Sequence, residues 1–214
     1  MRIPKHIAII PDGNRRWAKN SGLEKHEGYE HGLNPGVEAL RIAQQYGVEE
    51  LTYYGFTTDN CKRPSVQVKS FVNACINAIE LIKQENVNLL VVGNTASPMF
   101  PKELLPYTNE RVQFGEGTTK VNFLVNYGWE WDLGKLSIAT TNRHTIMESL
   151  GSKGISRIDL VIRWGGRKRL SGLLPVQSVY ADFYTLDEMW PDFCEKQFLE
   201  ALSWYSKQDV TLGG

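Results

Sequence analysis

Five short apolar runs, each separated from the next by a stretch of helical spacing, constrain this 214-residue chain more than any other feature. His6 to Ile10, Glu50 to Phe56, Asn88 to Gly93, Lys120 to Tyr127 and Ile158 to Arg163 read as buried strands. Strands covered on both faces belong to parallel sheets, because the crossover connections lay helices over each face. Helical spacing predicts helices over about Pro35 to Tyr46, Ser65 to Glu85, Lys102 to Val112 and Asp132 to Leu150, with a last one after Asp192. Asp192 and Glu195 have the spacing of a capping box for that last helix, in which Phe198, Leu202 and Tyr205 recur at helical intervals. The expected fold is α/β: one domain over residues 1–214, with a central, mostly parallel sheet flanked by helices and no repeat or linker.

Such a sheet gathers ligands outside the carboxyl ends of its strands, where loops converge. The polar clusters of this chain fall there. Asp12-Gly13-Asn14-Arg15-Arg16 follows the first run, Phe56-Thr57-Thr58-Asp59-Asn60 the second, and Arg163-Trp164-Gly165-Gly166-Arg167-Lys168-Arg169 the last. Lys+Arg 24 equals Asp+Glu 24, so no overall field draws the molecule to nucleic acid or to an anionic membrane, and a basic site has to be local. Four cations within seven residues around Gly165-Gly166 make one, and Ser171 adds a donor. The same run read alone is usually a solvated basic loop or a nucleic-acid patch, and its place after a buried strand is what favours an anion pocket.

Arg15 and Arg16 stand in the first turn of a helix, where cations oppose the helix dipole and an anion would compensate them. A diphosphate suits that place. Beside a phosphate, Asp12 is better explained as a Mg²⁺ ligand than as a base, since a bare carboxylate would repel the guest. The alternative is a helix start whose Asp12 caps orphan amides. The Ser65 to Glu85 helix carries Val68, Phe71, Val72, Cys75, Ile79 and Ile82 on one face, a core stripe that would also serve to wall an apolar tunnel. Cys61, Cys75 and Cys194 lie far apart and form no CxxC pair, which speaks against a disulfide framework or a zinc site and for a cytoplasmic protein. No stretch approaches about 20 apolar residues, and no leader pattern opens the chain, so any membrane contact is expected to be peripheral.

Together the stretches HIAIIPDGNRRWAKNSG, FTTDNCKRP, NYG at Asn126 to Gly128, DLVIRWGGRKRLSGLL and YADFYTLDEMWPDF resemble the cis-prenyltransferase family, which includes undecaprenyl diphosphate synthases. The likeness runs from about His6 to Gly214, and the DDxxD of the trans-type synthases is absent. The resemblance implies a homodimer, a parallel sheet with an elongated hydrophobic tunnel, and condensation of isopentenyl diphosphate with an allylic prenyl diphosphate to give a cis product. It implies Mg²⁺ held by Asp12 and Asp182, and catalytic roles for Asp12, Arg16, Thr57 and Asn60. Gly13, Asn14, Arg15, Arg16 and Lys25 would bind the allylic diphosphate, Arg163, Arg169 and Ser171 the isopentenyl diphosphate, and Trp17, Phe56 and Arg63 would be further substrate-binding residues.

The chain departs from the family pattern at several places. Asp182 stands where glutamate is usual, Lys25 where arginine is, Tyr29 where histidine is common and Cys61 where tryptophan is. Gly172 replaces an asparagine, Trp129 interrupts the usual NYGGR, and Arg167 and Lys168 make their loop unusually basic. The tail, Val210 to Gly214, lacks the arginine of the family's Arg-x-Gly ending, for which Arg167 or Lys168 would have to compensate. A compact chain with a short Ser65 to Glu85 helix implies a short or medium product. Two further readings stay open: irregular coupling of allylic diphosphates in the lavandulyl manner, and a non-catalytic subunit of a heteromeric enzyme. Nucleic-acid binding is not expected.

Overall fold

The computed structural model describes residues 1–136 and 142–209. Seven strands form one sheet: β1 (His6–Ile10), β2 (Glu50–Thr57), β3 (Val87–Val92), β4 (Val112–Phe114), β5 (Thr119–Tyr127), β6 (Leu160–Arg163) and β7 (Asp182–Thr185). Their order is β4-β3-β5-β2-β1-β6-β7, parallel throughout except for β4, which runs antiparallel to β3. All five expected strands are present. The two unexpected ones, β4 and β7, are short, lie at the sheet edges and are only half covered, so neither carries a continuous apolar run.

Both faces of β1 are buried. Ile7 and Ile9 join the core under α2 (Leu33–Gln45), α3 (Ser65–Ile82) and α6 (Glu195–Tyr205); Ala8 and Ile10 join a second core with Tyr54, Tyr127, Leu173 and Leu174. The two remaining helix expectations are corrected. Lys102–Tyr107 is a 3-10 helix containing Pro106, and the chain then turns to make β4. In place of one helix from Asp132 to Leu150 stand α4 (Trp129–Leu133) and α5 (Arg143–Ser149). Residues 137–141 of that stretch lie outside the described residues. The cap of α6 is also shifted: Cys194 precedes the helix, and its backbone N–H donates to Gln197 Oε1 at 3.1 Å. Asp192 instead accepts from Trp17 Nε1 at 2.7 Å. Trp17 belongs to α1 (Asn14–Asn20), which follows β1 at once.

From β1 the chain moves to β2 on one side, whereas β6 lies on the other side and leads outward to β7. The loops after β1 and β6 therefore diverge, opening a crevice at the carboxyl end of the sheet. A buried polar network occupies the opposite end. His6 Nδ1 faces the carbonyls of Ser156 and Arg157 at 3.1 and 3.2 Å, so it carries the proton; Nε2 accepts from the Thr52 hydroxyl at 2.7 Å. Asn122 donates to both Thr52 Oγ1 and Glu50 Oε1.

Burial lowers the pKa of His6 despite the nearby Glu50, keeping the ring neutral when folded. The unfolded chain takes up that proton near pH 6.5, so it binds more protons than the folded chain below this value, and stability falls as pH drops. The His6→Gln variant is expected to show a smaller loss of Tm between about pH 7 and pH 5 than the parent. Equal slopes in a thermal melt would remove His6 from the account.

Candidate active site

The loop after β1 is held before any ligand arrives. Asp12 N donates to the Ile10 carbonyl at 2.9 Å, and the Asp12 carbonyl accepts from Trp190 N at 3.0 Å. Gly13 has φ of 106°, and a Cβ there would come within 2.9 Å of the Met189 side chain, so the turn needs glycine on both counts. The Asp12 side chain is shared by three groups. Oδ1 accepts from Gly13 N at 2.6 Å and lies 3.6 Å from Arg16; Oδ2 accepts from Arg163 at 2.7 Å.

Arg163 ends β6 and is 3% exposed. Besides Asp12 it donates to Ser171 Oγ at 2.9 Å and to the Arg169 carbonyl. Ser171 has φ of 54°, and the Tyr54 hydroxyl donates to its carbonyl at 2.7 Å. Arg16 reaches across to the Gly165 carbonyl at 2.7 Å. Gly165 permits that approach: a Cβ there would lie 2.6 Å from the Arg16 guanidinium. Two separate loops thus become one wall.

They enclose a polar cavity of about 630 Å³, lined by eight cations and two carboxylates. The cations are Arg15, Arg16, Lys19, Lys25, Arg63, Arg163, Arg167 and Arg169; the carboxylates are Asp12 and Asp59. In a chain of zero net charge this surplus is a local device for an anion of high charge. Thr57 and Asn60 line the same cavity and hold one another: Asn60 Oδ1 accepts from Thr57 N at 3.1 Å, and Thr57 Oγ1 accepts from Asn60 N at 3.3 Å. The cap uses their oxygens as acceptors and leaves the Asn60 amide hydrogens and the Thr57 hydroxyl hydrogen to donate.

Pro11, Asn14, Tyr29, Gly55 and Phe71 line this cavity and also a second, apolar one of about 70 Å³. The second lies between α2, α3 and the sheet, and is walled by Phe71, Ala74, Cys75, Ala78 and Ile82 of α3. The apolar stripe of that helix serves there as tunnel wall, and its two alanines, one and two turns past Phe71, leave the space. Tyr53 and Phe123 also line it; the Tyr53 hydroxyl donates to the Gly36 carbonyl of α2 at 2.6 Å.

Of the residues expected to act, Asp12, Gly13, Asn14, Arg15, Arg16, Lys25, Thr57, Asn60, Arg63, Arg163, Arg169 and Ser171 meet around the polar cavity. Three do not. Trp17 turns outward to Asp192 and packs 4.6 Å from His31. Phe56 is wholly buried and supports Phe71 edge-on at 5.3 Å. Asp182 begins β7 level with Leu160, whereas Arg163 pairs with Thr185 at the far end of the same strand. Within one chain Asp182 is therefore a strand length away from Asp12. Lys19 and Tyr54 line the cavity without having been singled out as binding residues; Arg167, a candidate to compensate for the tail arginine, lines it as well. Lys19 lies one turn after Arg15, a helical spacing that would have found it.

The Prenyltransf family model, that of undecaprenyl diphosphate synthases, matches residues 10–213. The chain belongs to the cis-prenyltransferase family. Its relatives include the farnesyl-diphosphate-specific ditrans,polycis-undecaprenyl-diphosphate synthases of Pasteurella multocida and Photorhabdus laumondii, each 32% identical. These matches cover 99% of this chain and 95% and 90% of the respective relatives. Each alignment spans 231 positions against 214 residues here, so the relatives carry residues this prenyltransferase lacks. Among solved structures, lavandulyl diphosphate synthase from Lavandula x intermedia in complex with dimethylallyl diphosphate matches with a TM-score of 0.86. That match covers 99% of both chains at 24% identity and shows a shared fold.

Arg163 makes three contacts that a single ammonium cannot reproduce with the same geometry. The Arg163→Lys variant is expected to fold and to lose at least about tenfold in kcat/KM for prenyl transfer, as the wall between the two loops slackens. Unchanged kinetics would show that the two loops are not held by this residue.

Proposed function

We propose that this enzyme condenses isopentenyl diphosphate with an allylic prenyl diphosphate to form a short cis-prenyl diphosphate. The supporting observation is the pair of joined cavities: a cationic chamber for diphosphates opening into a narrow apolar chamber for a hydrocarbon tail. An engineered cavity of about 150 Å³ takes benzene, six carbons. On that scale a chamber of about 70 Å³ has room for about three carbons, so a single five-carbon isoprene unit fills it and extends back past Phe71 toward the polar cavity.

In this reading Arg15, Arg16, Lys25 and Arg63 hold the allylic diphosphate, with its tail past Phe71. Arg163, Arg169 and Ser171 hold isopentenyl diphosphate beside it. Charge gathers on the allylic diphosphate as its C–O bond breaks, and cations already fixed in a walled cavity stabilise that charge without having to reorganise. The isopentenyl double bond attacks the allylic carbon, and a proton is then lost. The donors of Thr57 and Asn60 are suited to orient the departing diphosphate.

Mg²⁺ is commonly bound through one or two carboxylates plus substrate phosphates, and Asp12 offers one carboxylate in a site built for phosphates. Among the described residues no group of three or more His, Cys, Asp or Glu side chains could hold an ion without a substrate. Asp12 would therefore hold the ion together with diphosphate oxygens, and the ion, when bound, neutralises charge on the leaving group. Asp182 has a part in this only if a homodimer brings a second copy of it to the site. Exposed Trp129, Leu170, Val179 and Tyr180 give such a dimer apolar surface to bury. Three unpaired cysteines support a cytoplasmic setting. No helix among the described residues is long and apolar enough to cross a membrane, and membrane contact in this reading is peripheral.

The test is incubation with Mg²⁺, isopentenyl diphosphate and dimethylallyl, geranyl or farnesyl diphosphate, with each substrate also alone, followed by mass spectrometry. A short cis product abolished by EDTA is expected; an undecaprenyl product would contradict the short-chain reading. The small chamber also favours a second reading, irregular coupling, in which dimethylallyl diphosphate alone gives product. Tyr53→Ala, which opens the far end of the chamber, is expected to lengthen the product by at least one isoprene unit. An unchanged product length would show that Tyr53 does not limit the tail.

A further inference from the structure

Tyr29 and Phe71 are the aromatic side chains that line both cavities, so they form the neck between them. Their rings are stacked, with centroids 4.4 Å apart and planes within 7°. Arg63 lines the polar cavity beside them, donates to the Tyr29 hydroxyl at 3.0 Å and stands 5.5 Å from the centre of the Phe71 ring. Burial lowers the pKa of Arg63 and the charge on Arg15 does the same, whereas Tyr29 and Asp12 favour its ionised form. A guanidinium half withdrawn from water and facing another cation needs a fixed acceptor to keep one position, and the Tyr29 oxygen supplies it. The hydroxyl keeps its own hydrogen to donate.

We propose that Tyr29 is a positioning and specificity-determining residue at the neck, where its hydroxyl fixes Arg63 against the allylic diphosphate and its ring limits the tail that passes. This rests on the prenyl-transfer reading. The two tasks are coupled because one side chain performs both. A tail of one isoprene unit passes with the stack intact and Arg63 in place. A longer tail must part Tyr29 from Phe71, and any movement of Tyr29 also moves the acceptor that holds Arg63. Tail length is therefore felt at the charged end of the substrate.

Two substitutions separate these tasks. Tyr29→Phe keeps the ring and removes the oxygen; it is expected to lower kcat/KM at least tenfold with dimethylallyl diphosphate and less with farnesyl diphosphate, whose longer tail already displaces the hydroxyl. Tyr29→Ala removes the ring and is expected to raise the ratio of kcat/KM for farnesyl over dimethylallyl diphosphate at least tenfold. Phe71→Leu opens the neck from its other side and should move that ratio the same way, which keeps the test usable if Tyr29→Ala does not fold. A purely structural role predicts equal losses with all primers, in step with Tm, and that pattern would overturn the proposal. So would wild-type kinetics for Tyr29→Phe. Calorimetric binding of dimethylallyl and farnesyl diphosphate to the same variants separates this inference from the reading beneath it. Binding that follows the same Tyr29 pattern in a parent protein that forms no product would contradict prenyl transfer and uphold the neck; binding indifferent to Tyr29 would contradict the neck.

Discussion

A buried guanidinium bonded to a carboxylate across two strands holds this structure's working end together. Arg163 leaves the end of β6, Asp12 follows β1, and the 2.7 Å contact between them closes the crevice where the sheet's connections diverge. The Arg163 side chain is deeply covered and Asp12 a third exposed, so losing the carboxylate strands a buried charge, though at less than the about 3–5 kcal/mol typical of a fully buried pair. The pair is therefore a structural joint in the resting protein. It also presents Asp12, held from three sides, at the edge of a chamber whose remaining charge is overwhelmingly positive.

The surroundings follow from that joint. Gly13 and Gly165 bring backbone close enough for Arg16 to bridge the two loops, and Tyr54 braces Ser171 from β2. Three strands and their loops thus converge on one polar chamber, while α2 and α3 leave a narrow apolar chamber beyond it. An amphiphile with a highly charged head and a short hydrocarbon tail matches both. The charge surplus and the tail space are separate features of the chain, one carried by loops and the other by the small residues Ala74 and Ala78, and they meet at Tyr29 and Phe71.

Much of this was legible in the sequence because parallel strands buried on both faces leave continuous apolar runs, and loops after such strands share an edge. β1, β2, β3, β5 and β6 were readable in that way, and so was the convergence of Asp12, Asn60 and Arg163. Where burial is partial the signal fades: β4 and β7 are short edge strands, and Pro106 and the break after Leu133 interrupt segments whose spacing reads as helix. Direction was harder still. Trp17 sits in the right helix but turns outward, Phe56 sits in the right strand but behind Phe71, and Asp182 sits on the right strand at its wrong end. A family motif records which residues matter, whereas only the fold shows which way each faces. The tail departure at 210–214 lies outside the described residues.

The most direct measurement is a crystal structure of the protein with Mg²⁺ and dimethylallyl thiolodiphosphate, an unreactive analogue of the shortest allylic substrate. The account predicts its diphosphate among Asp12, Arg16 and Arg63, with Mg²⁺ on Asp12 and the five-carbon tail past Tyr29 and Phe71, pointing toward Tyr53. A diphosphate bound away from Asp12, or a tail left in the polar chamber, would contradict it.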